Sequence, residues 1–180
     1  MQPITKTLTT VHGEILIREA RLADVQQYRK LRLDALQESP TAFSGDYLVS
    51  LNQPMSFWEN RLRVDEFGCI LFAEHAQQLI GMTVIRQRES PKTKHGADIL
   101  SVYVRPEWRG LHIAEGILDA CAEWAKARSV VILKLGVMAS NSSAVRLYER
   151  CGFKIYGTEP WDIFYDGKYH DLHLMSRELA

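Results

Sequence analysis

The stretch RPEWRGLHIAEGIL, Arg105 to Leu118, joins a proline exit, a glycine turn and the opening of an apolar helix. Such a turn leaves the first N–H groups of the helix without intrahelical acceptors, at the positive end of its dipole. An anion, most often a phosphate, is the natural partner for those groups. Gly110 permits the tight path, and Leu111, His112, Ile113 and Ala114 offer their N–H groups. Ala114 is small enough for close approach, and Arg109 adds a positive charge. A glycine turn opening a helix is equally a plain structural joint, and the turn by itself does not choose between the two readings.

Other residues carry chemistry at less specific spacing. Tyr148 is a phenol, which keeps its proton at neutral pH and can donate it. By periodicity, though, Ala144, Leu147, Tyr148 and Cys151 form a core-facing stripe on a helix. Asn141 precedes that helix and suits its N-cap, with Ser143 a weaker neighbour of the same kind. Asp98, His95 and Glu74 can titrate and serve as a general base, while a solvated loop or edge position is the plainer reading of each. His12, His75, His170 and His173 are scattered without metal-ligand spacing, so no metal is expected.

The elements that must position these residues follow from pattern. EILIREA, Glu14–Ala20, alternates as a strand. Val25, Tyr28, Leu31 and Ala35 mark a helix that Ser39-Pro40 stops. TAFSGDY is a loop, and SFWENRL a short helix with Ser56 and Glu59 at capping-box spacing. GCILFAEH and LIGMTVIRQRE read as a hairpin about the polar AQQ, and after the loop SPKTKHG, ADILSVYVR is a strand that feeds the glycine turn. The next helix runs from about Ile113 to Ala127, with Ile117, Cys121 and Trp124 on one stripe. VVILKLGV, almost wholly apolar, predicts a central strand covered on both faces. NSSAVRLYERCG is a helix capped by Asn141 or Ser142 and ended by Gly152. FKIYGTE and YHDLHLMSREL are final strands, the latter after the hairpin signal YDGK. This order predicts an α/β chain with one mixed sheet and helices on its faces.

Composition sets bounds. The 180 residues suggest a single domain spanning 1–180, with roughly the first 13 residues as an extension. Lys+Arg and Asp+Glu are both 22, a balance that argues against a nucleic-acid partner. No stretch has the length and apolarity of a membrane span, and the amino end resembles no signal peptide. The three cysteines are far apart and set among apolar residues, which predicts buried free thiols and a cytoplasmic location.

In their order, the strand ILSVYV, the pattern R-G-x-x-I-A and LGVMASNSSAVRLYERCGF resemble the GCN5-related N-acetyltransferase (GNAT) family. Arg109 and Ala114 match its first motif, and Asn141, Ala144, Leu147, Tyr148, Gly152 and Phe153 match the next. The resemblance covers about Asp98 to Met175. It implies a mostly antiparallel sheet with two splayed strands, and acetyl transfer from acetyl-CoA to a primary amine of a small molecule or peptide N-terminus. It implies that the turn takes the pyrophosphate, that the backbone of Val102, Tyr103 and Val104 pairs with the pantetheine arm, and that Asn141 and Ser143 lie near that arm. Tyr148 becomes the general acid for the departing thiolate, and Asp98 stands where many members have an acidic residue. His112 occupies the motif's central glycine, where its ring either turns outward or donates to a phosphate oxygen. The alternative reading is a non-catalytic acyl-CoA-binding or regulatory module of the same fold. The segment from Pro40 to Leu62 is expected to shape the acceptor pocket, and pairing of YHDLHLM across a two-fold axis would make a homodimer.

Overall fold

The computed structural model describes residues 3–63 and 65–179. Its strands are β1 (Thr5–Thr10), β2 (Gly13–Glu19), β3 (Gly68–His75), β4 (Gln78–Gln87), β5 (Gly96–Val104), β6 (Ile132–Met138), β7 (Lys154–Tyr165) and β8 (Lys168–Glu178). The helices are α1 (Val25–Glu38), α2 (Tyr47–Leu51), α3 (Met55–Leu62), α4 (Ile113–Lys126) and α5 (Ser142–Arg150). All eight strands join one sheet in the order β1-β2-β3-β4-β5-β6-β8-β7. Every neighbouring pair is antiparallel except β5·β6. Among the described residues no helix is long and apolar enough to cross a membrane.

The pleat of β3 separates the two sides of the molecule. Cys69, Leu71 and Ala73 point into one core, against Ile113, Ile117, Cys121 and Trp124 of α4. Ile70 and Phe72 point into the other, with Tyr28 and Leu31 of α1 and Trp58 and Leu62 of α3. Helices therefore cover both faces. The doubly covered strands include β3 and its neighbour β4, whose Ile80 and Ile85 enter the first core and Leu79 and Met82 the second, whereas the pattern predicts that place for β6. In β6 only Leu133, Leu135 and Val137 enter the α4 core, while the opposite face shows Lys134 and an exposed Gly136.

Three further expectations change. The residues before β2 are not only an extension: Thr5–Thr10 add an edge strand, and Leu8 packs against the α4 core. Helix α3 starts on Pro54 as N-cap, so Ser56 lies inside the first turn and makes no cap. YHDLHLM lies in β8, which is bonded to β6 on one side and β7 on the other. From Leu172 onward both edges are occupied and no ladder is left for a second copy, while Tyr169 and His170 pair with β7 alone.

Candidate active site

β5 and β6 pair only at Gly96↔Ile132, Ala97↔Leu133 and Asp98↔Lys134. Beyond Asp98 the two strands part, and the β6-facing edge of β5 runs on without a strand partner. The bend coincides with a bulge. Register against β4 shifts between Met82 and Val84, and Ser101 sits at φ 57°. The Thr83 hydroxyl, fully buried on β4, donates to the Leu100 carbonyl at 3.1 Å and pins the bulge. An extra residue in one strand bends it and re-aims its side chains. Here it swings Val102 and Val104 onto the wall of a cleft of about 350 Å³.

The glycine turn closes one end of that cleft. Gly110 sits at φ 78°, and a Cβ there would meet nothing within 4 Å. The first bond of α4 runs from the Gly116 N–H to the His112 carbonyl at 3.0 Å. The backbone N–H groups of Gly110, Leu111, His112, Ile113 and Ala114 have no backbone acceptor among the described residues. Five successive free donors at the positive end of a 14-residue helix form an anion cradle.

Two side chains in the turn depart from the sequence expectation. The Arg109 guanidinium does not face the cradle as a free charge. It pairs with Glu38 of α1 at 2.8 Å and donates through Nε to the Val104 carbonyl at 3.0 Å. The Tyr103 hydroxyl donates to the same Glu38 carboxylate at 2.9 Å. Arg109 thus ties the turn to α1, and one β5 carbonyl expected to be free for a ligand is engaged. His112 holds φ 58°, ψ 19°, the left-handed region, which costs a side-chain-bearing residue about 1 kcal/mol. Its side chain is 81% exposed and turns to Glu115, with Nδ1 3.3 Å from Oε1. Of the two alternatives, the ring adopts the outward one. Burial pushes the Glu115 carboxyl up, but Arg150, its own N–H and His112 outweigh burial and hold it below the usual carboxylate range. Arg150, at 3.0 Å from Glu115, adds positive charge to the cleft wall.

The opposite wall is α5. Asn141 caps it: Oδ1 accepts from the Ala144 N–H at 3.1 Å and from the Ser143 hydroxyl at 2.9 Å. Cap and cofactor roles are compatible, because both bonds use the oxygen and leave the amide NH₂ for another acceptor. Tyr148 is 7% exposed, and its ring meets Phe153 in a T-shaped contact at 6.0 Å. Burial pushes its phenol above the usual range. Tyr148 therefore belongs to the core stripe and also lines the cleft.

A second cleft opens on the other side of the parted strands. Ala42, Phe43, Val102, Asn141, Ala144 and Tyr148 line both. Ala42, Phe43, Ser44, Gly45 and Arg61, from the segment expected to shape an acceptor pocket, line the second. Val102, Tyr103, Val104, Arg109, Gly110, His112, Ile113, Ala114, Asn141, Ser143 and Tyr148 thus gather around one cleft, with Leu111 behind them in the apolar core.

Asp98 is not brought there. It lies where β5 and β6 are still paired and is gripped by Arg88 through bonds of 3.0 and 2.7 Å. Glu74 is tied to Arg18 at 2.7 Å, and the His95 carbonyl accepts from Val131 at the start of β6. None of the three lines either cleft. Arg32 of α1 is a wall residue that sequence reading passed over. Its signal was present: four residues after Tyr28 and three before Ala35, it puts a charge on the buried stripe of the helix.

Residues 32–153 match the model of the acetyltransferase (GNAT) family. The chain is 25% identical over 163 residues to the L-methionine sulfoximine/L-methionine sulfone acetyltransferase of Pseudomonas aeruginosa, covering 91% of this chain and 94% of that one. It superposes on the ribosomal-protein-alanine N-acetyltransferase of Brucella melitensis with a TM-score of 0.76, at 30% identity over 90% of this chain and 98% of the other. YncA of Salmonella typhimurium, solved with its cofactor acetyl-CoA, superposes with a TM-score of 0.76 at 22% identity, over 92% and 94% of the two chains.

Proposed function

Because the chain belongs to the acetyltransferase (GNAT) family and takes acetyl-CoA as its co-substrate, we propose that its parted strands hold that molecule and that Tyr148 completes transfer to an amine. The residues present fit the ligand. The free N–H row from Gly110 to Ala114 suits a pyrophosphate, the unpartnered edge of β5 suits an amide-bearing arm, and the Asn141 NH₂ is available beside it. The acetyl thioester supplies the electrophile.

Each protein group then has a task. The cradle and Asn141 position the ligand along β5. Val102 and Ala144 form the passage between the two clefts. Tyr148 keeps its proton through the neutral range, because burial disfavours its anion, and donates it to the leaving sulfur. With Asp98 held by Arg88 outside the clefts, the amine loses its proton to water in the second cleft or to Asp162, the carboxylate on that cleft's wall. A cytoplasmic setting suits both the co-substrate and the free thiols Cys69, Cys121 and Cys151.

The acceptor is a primary amine. Relatives named for a small amino acid derivative and for a ribosomal protein bracket its size. The observation that carries the proposal is the Tyr148 hydroxyl at the junction of two clefts, one ending in an anion cradle. Thiol release from acetyl-CoA over a panel of amines tests it. Amine-dependent release is expected. Binding of acetyl-CoA without release for any small amine or peptide would overturn the catalytic role.

A further inference from the structure

The wall of the second cleft contains a guanidinium without a counter-ion. Arg32 is 8% exposed, and its Nη1 is fully buried with no hydrogen-bond acceptor among the described residues. The Phe43 ring covers one face, 4.5 Å from the guanidinium carbon. Gly45 packs on the edge, where an added Cβ would lie 3.2 Å from Nη2. Loop residues thus shape a slot around the fork without supplying an acceptor.

The neighbouring charge makes the deficit larger. Arg61, exposed at the rim of the same cleft, is fixed by donating Nε–H to the Tyr28 hydroxyl at 2.9 Å. Burial, and then the like charge of Arg61, push the Arg32 guanidinium down to about 10, with only Tyr28 opposing. No carboxylate is among the groups acting on it. The acid on the cleft wall, Asp162, is exposed on β7 and makes no ion pair with either arginine. A buried, unpaired charge is costly, and proteins retain one where a ligand completes it.

We infer that Arg32, supported by Arg61, binds a carboxylate of the acceptor, so that the amine acetylated here belongs to a small amino acid. The inference rests on the acetyl-transfer reading and adds the acceptor's chemistry. A guanidinium fork matches a carboxylate bidentately. Arg32 lines the second cleft and not the first, so the pyrophosphate cradle is not its partner. Tyr148 and Asn141 line the same cleft, which places a carboxylate on Arg32 within a short molecule's reach of the transfer point. Val137, Met138, Ile163 and Leu172 give it apolar walls, suited to an apolar side chain. The N-terminus of a peptide has no carboxylate beside its amine and lacks this anchor.

The test pairs apolar L-amino acids with their own α-amides, and with short peptide amides, under saturating acetyl-CoA. For the best acid, kcat/KM should exceed that of its amide by at least about 100-fold. Arg32→Met should cut kcat/KM for the acid by about 100-fold and leave the amide within about threefold, with the KM for acetyl-CoA unchanged. The substitution removes a buried charge and keeps an apolar stem, so the Tm should hold or rise. Should the variant not fold, the acid–amide ratio of the wild type still decides. Amides, peptide amides or other carboxylate-free amines turned over as well as the acids would overturn the inference, as would equal losses for acid and amide in Arg32→Met. Turnover of carboxylate-free amines alone leaves the transferase reading intact, whereas failure of every amine to release thiol removes that reading as well.

Discussion

Tyr148→Phe lowers kcat roughly 100-fold or more and leaves the affinity for acetyl-CoA nearly unchanged. The substitution isolates one atom. The ring is packed against Phe153 within the apolar core, so phenylalanine refills the same space. The lost hydroxyl makes no hydrogen bond to any described residue, so no buried partner is orphaned in the variant. Burial raises the phenol above its usual range, so the proton is present throughout the neutral region and kcat should not fall from tyrosine ionisation on the alkaline side until beyond the ordinary phenol range. Rapid-mixing kinetics under single-turnover conditions, with an amine for which chemistry limits the rate, separates this from product release. Wild-type turnover in that regime would remove Tyr148 from the mechanism.

Arg18→Met destabilises the fold by about 3–5 kcal/mol at neutral pH. Arg18 is 5% exposed on β2 and makes a bidentate pair with Asp24, itself 6% exposed, at 2.8 Å for each arm. Its Nε reaches Glu74 on β3 at 2.7 Å. Asp24 also accepts from the Arg21 N–H at 2.7 Å, so the cluster fixes where α1 leaves the sheet. That helix carries Glu38, which anchors the anion turn, and Arg32, so the clamp has functional reach. Removing the cation leaves two carboxylates beside each other without compensation. The pH dependence has a definite sign. Burial alone would raise the Asp24 carboxyl, but the bonds from Arg18 and Arg21 and their charges hold it below the usual value. A carboxyl lower in the folded than in the unfolded state contributes stability above its unfolded value, and loses it as pH falls through the folded one. In Arg18→Met burial dominates and the same carboxyl rises. The deficit is therefore largest at neutral pH and shrinks on acidification. Urea unfolding of both proteins across that range checks it; a deficit below about 1 kcal/mol, or one that grows with acid, contradicts the assignment.

What could be read beforehand was local. The glycine turn, the Asn141 cap and the Tyr148 stripe are set by residue types a few positions apart, and the helices α1, α4 and α5 by apolar periodicity. Pairings across long sequence distances were not legible. Arg109 meets Glu38 across 71 positions, and this converts an expected phosphate contact into a strut. Asp98 meets Arg88 ten positions away across a turn, and this takes it out of the site. The apolar run of β6 suggests a doubly covered strand because a run of that kind does not say which face is packed, whereas the runs of β3 and β4 are flanked by both cores. TKTLTT gave no signal because a half-exposed edge strand needs few apolar residues.

The central claim is that acetyl-CoA lies from the glycine turn along the free edge of β5 to Tyr148. An amide-resolved NMR titration of the isotope-labelled protein with acetyl-CoA tests it most directly. The account predicts saturable shifts with an affinity in the micromolar range, on the order of −8 kcal/mol, largest at Gly110 to Ala114 and Val102 to Val104, with Asn141 moving and Asp98 nearly still. Shifts centred elsewhere on the sheet, or none at millimolar ligand, would contradict it.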